Sequence, residues 1–222
     1  MIEERLSNVV ALVLAGRRAT PPHRSTLVAV SGIDGAGKGH VSGLLSRGLT
    51  SRGLRVALIN IDGWLALPET RFSREDPAKH FYLHAIRFDE MFERLVLPLR
   101  DRRSIVVEAD FAEETAIAYR KHLYEFSNID IILLEGIFLL KRQWRSYYDL
   151  SVWIHCSFET ALKRAVLRAQ EGLSPELTAE AYRAIYFPAQ EIHFQRDDPR
   201  QAATVVIDNE ESSRAEYLEL DS

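Results

Sequence analysis

The chain has 222 residues, of which 46% are hydrophobic and 27% are charged. That length accommodates one domain of ordinary size, and that composition excludes collagen-like, low-complexity and disordered chains. The formal net charge of −4 excludes a strong overall attraction to nucleic acid or to an anionic membrane surface.

The first predicted elements are a helix followed by a strand, a second helix and a second strand. Apolar residues recur every three or four positions over residues 2–18, which predicts an amphipathic N-terminal helix within residues 1–20. The β-branched run 26–30 predicts a strand buried on both faces, and the helical pattern returns over residues 41–54. The run 55–61 then predicts the second strand.

The second half of the chain continues the alternation of strands and helices. The polar segment 67–80 predicts a loop, and Asp89 is expected to cap the helix after it. Ser157 is expected to cap one later helix, and Ser174-Pro175-Glu176 to begin another. Four apolar runs are short enough for core strands: residues 104–109, 130–137, 149–156 and 203–208. This order predicts an α/β fold, a parallel sheet with helices on both faces that binds ligands beyond the carboxyl ends of its strands.

Cysteine content and the N-terminal segment indicate a compartment. Cys156 is the one cysteine of the sequence, so the chain has no internal disulfide and no multi-cysteine zinc site. The apolar run 9–15 is too short to span a bilayer and has no basic start. We therefore expect a cytoplasmic protein that does not enter a membrane.

A glycine-rich segment between the first strand and the second helix is the clearest functional pattern. Residues 32–38 read G-x-x-x-x-G-K, which is most of a P-loop. In such a loop the backbone N–H groups, the helix N-terminus and the lysine together hold phosphate groups. A glycine-rich turn without a ligand is the alternative. The predicted nucleotide-binding residues are Gly32, Ile33, Asp34, Gly35, Ala36, Gly37, Lys38, Gly39 and His40.

The residue after the lysine departs from the P-loop pattern. Serine or threonine is expected there, because its hydroxyl binds Mg²⁺, whereas this chain has Gly39. Mg²⁺ keeps several waters and needs only one or two carboxylates besides phosphate, so water, Asp62 or Glu135 could replace the hydroxyl. An impaired site is the other interpretation.

Two acidic residues stand at the carboxyl ends of predicted strands. Asp62 follows the second strand, where its carboxylate would meet the attacking hydroxyl, and it is the candidate general base. Glu135 ends the run 130–137 and is a candidate for orienting metal-bound water. The structural alternatives are a turn cap for Asp62 and a hydrogen bond to a neighbouring turn for Glu135.

The chain carries SGIDGAGKG, Asp62, Glu135-Gly136-Ile137 and Tyr186-x-Pro188-Ala189 in this order. Through these residues it resembles the uridine kinase and phosphoribulokinase-like P-loop kinases over about residues 25–209. The resemblance implies a three-layer P-loop NTPase fold and a kinase that uses ATP and Mg²⁺ to phosphorylate a small-molecule hydroxyl. It also implies that Asp62 is the base and a metal and acceptor ligand, and that Glu135 helps to hold the metal. We predict one domain over residues 1–222, with a helical acceptor-side insertion at 64–102 and lid helices at 157–200.

Other site residues follow from the same resemblance. The segment SFETALKRAVLRAQ is similar to the family's lid, which makes Arg164 and Arg168, with Lys38, the expected clamp on the transferring phosphate, and Arg183 a further candidate. Tyr119 and His122 are the expected acceptor-binding residues. Leu83 stands where uridine kinases have a sugar-binding aspartate. His80, His84 and His193 lack metal-ligand spacing.

Three functions remain open from the sequence. The first is a small-molecule kinase, most simply of a nucleoside. The second keeps the phosphate site and changes the acceptor to ribulose phosphate, pantothenate, glycerate or another alcohol. The third is a non-catalytic nucleotide-binding regulator, which Gly39 favours and which the lack of an N-K-x-D guanine motif disfavours as a GTP switch. The expected partners are ATP and the acceptor, and a homo-oligomer stays open.

Overall fold

The computed structural model describes residues 2–168 and 172–210, with side chains from residue 5 onward. Residue 1 and residues 211–222, which belong to the predicted domain, lie outside the described residues. Residues 169–171, where the predicted lid segment ends, also lie outside them.

Seven strands occur in the described chain, and five of them form one parallel sheet. The strands are β1 (Thr26–Gly32), β2 (Val56–Asn60), β3 (Ile105–Phe111), β4 (Arg120–Phe126), β5 (Ile131–Gly136), β6 (Leu150–His155) and β7 (Val205–Asp208). The parallel sheet has the order β2-β5-β1-β6-β7. Every residue of β1 and β5 is buried, as expected for apolar strands covered on both faces.

Helices cover this sheet. They are α1 (Ile2–Ala19), α2 (Lys38–Thr50), α3 (Pro68–Arg71), α4 (Pro77–His84), α5 (Phe88–Met91), α6 (Leu97–Arg102), α7 (Phe158–Arg168), α8 (Pro175–Ala181), α9 (Phe187–Asp197) and α10 (Pro199–Ala202). The amphipathic helix α1 packs on α2, β1 and β7 through its apolar face. The predicted three-layer α/β fold is confirmed. No helix of the described residues is long and apolar enough to cross a membrane.

Two π-helical turns connect helices near prolines. Residues Phe92–Val96 join α5 to α6 two residues before Pro98, and Tyr182–Tyr186 join α8 to α9 two residues before Pro188. Proline has no N–H and crowds the carbonyl of the preceding turn, so a wider turn is accommodated there. The second of these turns contains Tyr182 and Tyr186, both buried.

Strands β3 and β4 correct one prediction. The run 104–109 was expected in the parallel sheet, but β3 pairs with β4 in a separate antiparallel hairpin, and β4 was not predicted as a strand. The first four residues of β3 alternate between half-buried and exposed, with Val106 67% exposed, and Ala109 is the one buried residue of this strand. Antiparallel pairs tolerate one face in water, whereas strands of a covered parallel sheet do not.

Local signals at helix starts had mixed outcomes. The predicted caps are confirmed at Ser157, whose Oγ accepts from the Thr160 amide at 3.1 Å, and at Ser174, whose side chain accepts from the Leu177 amide. The Asp89 cap is wrong, because that helix begins one residue earlier at Phe88. The predicted loop 67–80 contains α3 and the start of α4.

Candidate functional site

The glycine-rich loop connects β1 to α2 at the carboxyl end of the sheet. Gly35 and Gly37 have φ angles of 77° and 85°, a left-handed conformation that favours glycine. A Cβ on Gly35 would also lie 2.5 Å from the carbonyl oxygen of Ala161 in α7. The loop therefore needs glycine at both positions to keep its shape, and at Gly35 also to pack against α7. The first amides of α2 have no carbonyl four residues earlier in the helix, as at other helix N-termini that bind anions.

Lys38 lies at the start of α2 and points along this loop. It is 8% exposed, and its Nζ donates to the carbonyl of Ile33 at 3.1 Å. The bond holds the ammonium group against the loop backbone, where its charge acts on the surrounding carboxylates. A buried lysine at this place supplies positive charge without blocking the cavity.

Three carboxylates surround Lys38. Asp62 follows β2 in a single 3₁₀ turn, and its amide donates to Oδ1 of Asn60 at 2.7 Å. Glu135 is the next-to-last residue of β5 and is 6% exposed. Asp34 belongs to the glycine-rich loop, and its Oδ1 accepts from the Gly35 amide at 2.9 Å. Neighbouring parallel strands thus bring residues distant in sequence to one edge of the sheet.

The electrostatics of the three carboxylates differ. Burial raises the pKa of Glu135 to about 7, helped by the charges of Asp62 and Asp34 and opposed by Lys38. Loss of solvation among the surrounding protein atoms also raises the pKa of Asp62, and the positive charge of Lys38 opposes this rise. Burial also acts upward on Asp34, but Lys38, Arg168 and hydrogen bonds from Tyr182 and Gly35 together hold its pKa below the usual value. Asp34 is thus the permanent anion of the group.

Two cavities meet at Asp62. The first has a volume of about 310 Å³ and contains the loop, Lys38, Glu135 and Arg168. The second has about 370 Å³ and lies between the edge strand β2 and the β3–β4 hairpin. Asn60, Asp62 and Glu114 line both. The second is otherwise lined by Leu58, Ile59, Gly63, Phe111, Glu113, His122, Tyr124 and Phe126.

The two predicted lid arginines have different environments. Arg168 lines the first cavity and lies 3.5 Å from Oδ1 of Asp34. Arg164 donates to the carbonyl of Asn209 at 2.7 Å and to that of Ala36 at 3.5 Å, and it lines neither cavity. Arg183 is exposed and lines neither. Arg168 is therefore in position for a clamp, whereas Arg164 braces the loop.

The predicted acceptor residues are also separated. His122 lines the second cavity and packs against Phe111 and Tyr124, with ring centroids 5.1 and 4.5 Å apart. Tyr119 lines neither cavity; its hydroxyl accepts from the Leu67 amide at 3.3 Å, and Arg87 lies over its ring. Leu83 is 42% exposed and lines neither cavity.

Sequence reasoning missed several residues of the site. Glu114 lines both cavities, and Phe81 lines the first with its ring 5.0 Å from that of Tyr186, which the resemblance includes but to which it assigns no role. Asn60 had a usable signal, since it stands two residues before Asp62 at a strand end. Glu114 had none, because it lies in a loop whose place beside Asp62 depends on the hairpin.

Solved structures of low sequence identity share this architecture, while no family model matches the chain. One is a possible uridine kinase from Bacillus stearothermophilus, 18% identical, with a TM-score of 0.72 over 93% of this chain and 98% of that one. A second is a candidate fructose transport system kinase from a Silicibacter species, 20% identical, with a TM-score of 0.70 over 89% and 98%. A third is a D-glycerate 3-kinase from Cryptococcus neoformans, 16% identical, with a TM-score of 0.60 over 84% and 87%.

The chain has the fold of the P-loop kinases. The resemblance seen in the sequence is therefore confirmed for the fold. At identities of 16–20% the likeness extends to the architecture alone, and the roles of Asp62, Glu135, Arg168 and the other site residues stay predictions.

Within this P-loop kinase fold the first cavity fits a triphosphate with Mg²⁺. Its wall includes Gly35, Gly37 and Gly39 of the loop and the ammonium group of Lys38, the kind of groups that hold phosphates in such loops. No group of three acidic, histidine or cysteine side chains among the described residues could hold a metal by itself. Mg²⁺ bound through phosphates, waters and one or two carboxylates is consistent with that, and Asp62 and Glu135 would be those carboxylates.

Proposed function

We propose that the chain is an ATP-dependent kinase that transfers the γ-phosphate to a hydroxyl of a small molecule, most simply a nucleoside. The observation that carries the proposal is the shared wall of the two cavities: Asp62 lines the phosphate side and the hairpin side at once. In an in-line transfer the attacking hydroxyl and the leaving oxygen lie on opposite sides of the transferred phosphorus, so the base that takes the hydroxyl proton must stand where the donor site and the acceptor site meet.

Each residue has a defined task in this proposal. The loop amides and Lys38 hold the triphosphate, and Arg168 neutralises charge on the group in transfer. Asp62 accepts the proton of the attacking hydroxyl, and its raised pKa makes it a better base near neutral pH. Mg²⁺, when bound, neutralises phosphate charge beside Asp62 and Glu135.

A nucleoside is the simplest acceptor for the second cavity. Its volume of about 370 Å³ lies in the usual range for small-molecule sites. The rings of Phe111, Tyr124 and Phe126 offer flat apolar surfaces of the kind that hold a planar base. Ribulose phosphate, pantothenate and glycerate remain alternatives, and Leu83 in place of an acid weakens ribose recognition of the family's type.

An acceptor screen tests the proposal. ADP release is measured with Mg·ATP and a panel of nucleosides, sugars and vitamin-like alcohols. We expect one acceptor class to stimulate release in the wild type, and Asp62→Asn to lower kcat by roughly 100-fold or more. A high rate without any acceptor, or no release with all of them, would contradict a kinase.

A nucleotide-binding regulator is the second candidate, and Gly39 is the observation in its favour. Such a protein would bind ATP and show no turnover with any divalent metal. Titration of ATP with and without Mg²⁺, alongside the same screen, separates the two functions. Affinity indifferent to Mg²⁺ together with no turnover supports the regulator.

A further inference from the structure

The second cavity is acidic. Its lining includes the carboxylates of Asp62, Glu113 and Glu114, and no lysine or arginine of the described residues is part of it. Glu113 is 67% exposed and is paired with Arg120 at 3.0 Å, so part of its charge is compensated at the surface. Asp62 and Glu114 face both cavities. A ligand that enters from the hairpin side therefore meets three carboxylates and no lysine or arginine in the described cavity lining.

Glu114 lies in the connection between β3 and β4 and, like the candidate base Asp62, lines both cavities. Its side chain is 27% exposed, and it lines both the phosphate side and the hairpin side. A group bound in the second cavity with its hydroxyl near Asp62 would lie within reach of this carboxylate. Glu114 is thus placed to bind the acceptor next to the reacting hydroxyl.

A buried arginine holds Glu114 in this place. Arg71 of α3 is 3% exposed, and its Nη2 lies 3.2 Å from Oε1 of Glu114 and also donates to the Glu114 carbonyl. Its Nε and Nη1 have no hydrogen-bond partner within the described residues. A buried guanidinium with so few partners depends on its counter-charge, so the pair fixes the position of the Glu114 carboxylate.

We propose that Glu114, positioned by Arg71, binds hydroxyl or amino groups of the acceptor, and that the second cavity selects acceptors that carry no negative charge. This rests on the proposed kinase function and specifies its substrate class. A fixed carboxylate accepts hydrogen bonds from donors such as hydroxyl and ammonium groups and repels anions. Ribulose phosphate, pantothenate and glycerate are all anions, so the cavity disfavours each of these alternatives.

Matched pairs of compounds test the charge selection. Calorimetric titration of the ADP-saturated protein compares glycerol with glycerate, ribulose with ribulose 5-phosphate, and pantothenol with pantothenate, and includes uridine. In each pair the uncharged compound carries a hydroxyl or hydroxymethyl group where its partner carries a phosphate or a carboxylate. We expect an uncharged member to bind, and to bind at least roughly tenfold tighter than its anionic partner.

Variants of the pair test the role of Glu114. Glu114→Gln should raise the Kd of the bound uncharged compound roughly 10- to 100-fold and should not raise the Kd of ATP, because it removes a negative charge from the wall of the phosphate cavity. Glu125→Gln, on an exposed residue of β4, is the matched control and should change neither value. If Glu114→Gln fails to fold, Glu114→Asp replaces it, because it keeps the charge and withdraws the carboxylate by one methylene. Its Kd for the uncharged compound should rise by a smaller factor.

Arg71 is a positioning residue and needs its own measurement. Arg71→Lys should weaken acceptor binding without changing ATP affinity. When it is combined with Glu114→Gln, the double variant should lose no more than Glu114→Gln alone, because both act through one carboxylate. A merely structural role would lower ATP affinity and acceptor affinity together.

The outcomes separate this inference from the kinase proposal. Binding of an uncharged compound without ADP release would overturn the kinase and leave the acceptor assignment intact. Preference for an anionic member, an unchanged Kd in Glu114→Gln, or no binding by any uncharged compound would overturn the acceptor assignment.

Discussion

Tyr182 donates its hydroxyl hydrogen to Oδ2 of Asp34 at 2.8 Å, which ties the π turn between α8 and α9 to the glycine-rich loop. The other oxygen of Asp34 faces Arg168 at 3.5 Å. One carboxylate of the glycine-rich loop therefore contacts both α7, through Arg168, and the π turn between α8 and α9, through Tyr182. Together with the positive charge of Lys38, these contacts hold the pKa of Asp34 below its usual value despite its burial.

Removal of this hydroxyl should destabilise the protein in a pH-dependent way. Tyr182→Phe is expected to lose roughly 1.5–3 kcal/mol at pH 7, because the bond is made to an ionised group. A lowered carboxyl pKa contributes stability above its usual value of 3.8 that is lost as pH falls below it, so the difference from wild type should shrink in acid. Urea unfolding of wild type and Tyr182→Phe, at pH 7 and at a pH below 3.8, measures the difference in unfolding free energy.

Tyr148→Phe is the control for that comparison. Its hydroxyl donates to the uncharged carbonyl of Leu139 at 3.0 Å, so the loss should be about 1 kcal/mol and the same at both pH values. A loss in Tyr182→Phe that grows in acid would contradict an ionised Asp34 as the partner.

The lid arginines should separate catalysis from stability. Arg168 is 45% exposed and faces the first cavity, so Arg168→Ala should lower kcat by roughly 100- to 1,000-fold with little change in stability. Arg164 bonds two carbonyls near the loop, so Arg164→Ala should lose roughly 1–3 kcal/mol of unfolding free energy. Steady-state kinetics and urea unfolding of both variants test this. A large loss of stability in Arg168→Ala, together with a large loss of kcat but no loss of stability in Arg164→Ala, would refute it.

Restoring a hydroxyl after Lys38 should reduce the Mg²⁺ requirement. A Cβ at Gly39 would meet no atom within 4 Å, so Gly39→Ser fits without displacing a neighbour. Serine is also a better helix former than glycine by a few tenths of a kcal/mol. We expect the Mg²⁺ concentration for half-maximal activity to fall several-fold, while Gly43→Ser, one turn further along α2, leaves it unchanged. An unaltered requirement in Gly39→Ser would show that water or carboxylates already complete the metal shell.

Glu135 should make the ligand-free protein less stable as pH rises. Its pKa is raised from 4.5 to about 7, so the folded state holds this proton longer than the unfolded state does. Stability should therefore fall between about pH 4.5 and 7 and then level off, by at most roughly 3 kcal/mol.

Glu135→Gln removes this charge and tests the effect. The variant should be more stable than wild type at pH 8, and this difference in unfolding free energy should be smaller at pH 5. It should also need more Mg²⁺ for activity. Glu159→Gln, whose side chain is 77% exposed, should show no such pH dependence. Equal stability of wild type and Glu135→Gln at pH 8 would contradict the raised pKa.

The sequence predicted the parts of the site that local patterns specify. A buried strand, a glycine-rich turn and a helix are adjacent in the chain, so residues 32–40 could be placed before the structure was known. Asp62 and Glu135 were found because each ends an apolar run, and parallel strand ends meet at one edge of the sheet.

Contacts between distant segments could not be predicted. Arg71 and Glu114 are 43 residues apart, and Asp34 and Tyr182 are 148 apart, with no periodic pattern that links them. The β3–β4 hairpin was missed because most of its residues are exposed or half-buried, and only Ala109 and Tyr124 are buried. The apolar run of β3 therefore resembles a core strand, whereas the polar sequence of β4 resembles a loop. Arg164 and Arg168 carry the same charge one helical turn apart, and only packing distinguishes them.

Calorimetric titration of ATP tests the central claim most directly, since every role above depends on a triphosphate held around Lys38. We expect the wild type to bind one ATP and Lys38→Ala to bind it at least roughly tenfold more weakly. Lys163→Ala, which changes an exposed lysine of α7, should match the wild type. No heat of binding in the wild type, with or without Mg²⁺, or equal affinity in Lys38→Ala, would contradict the account.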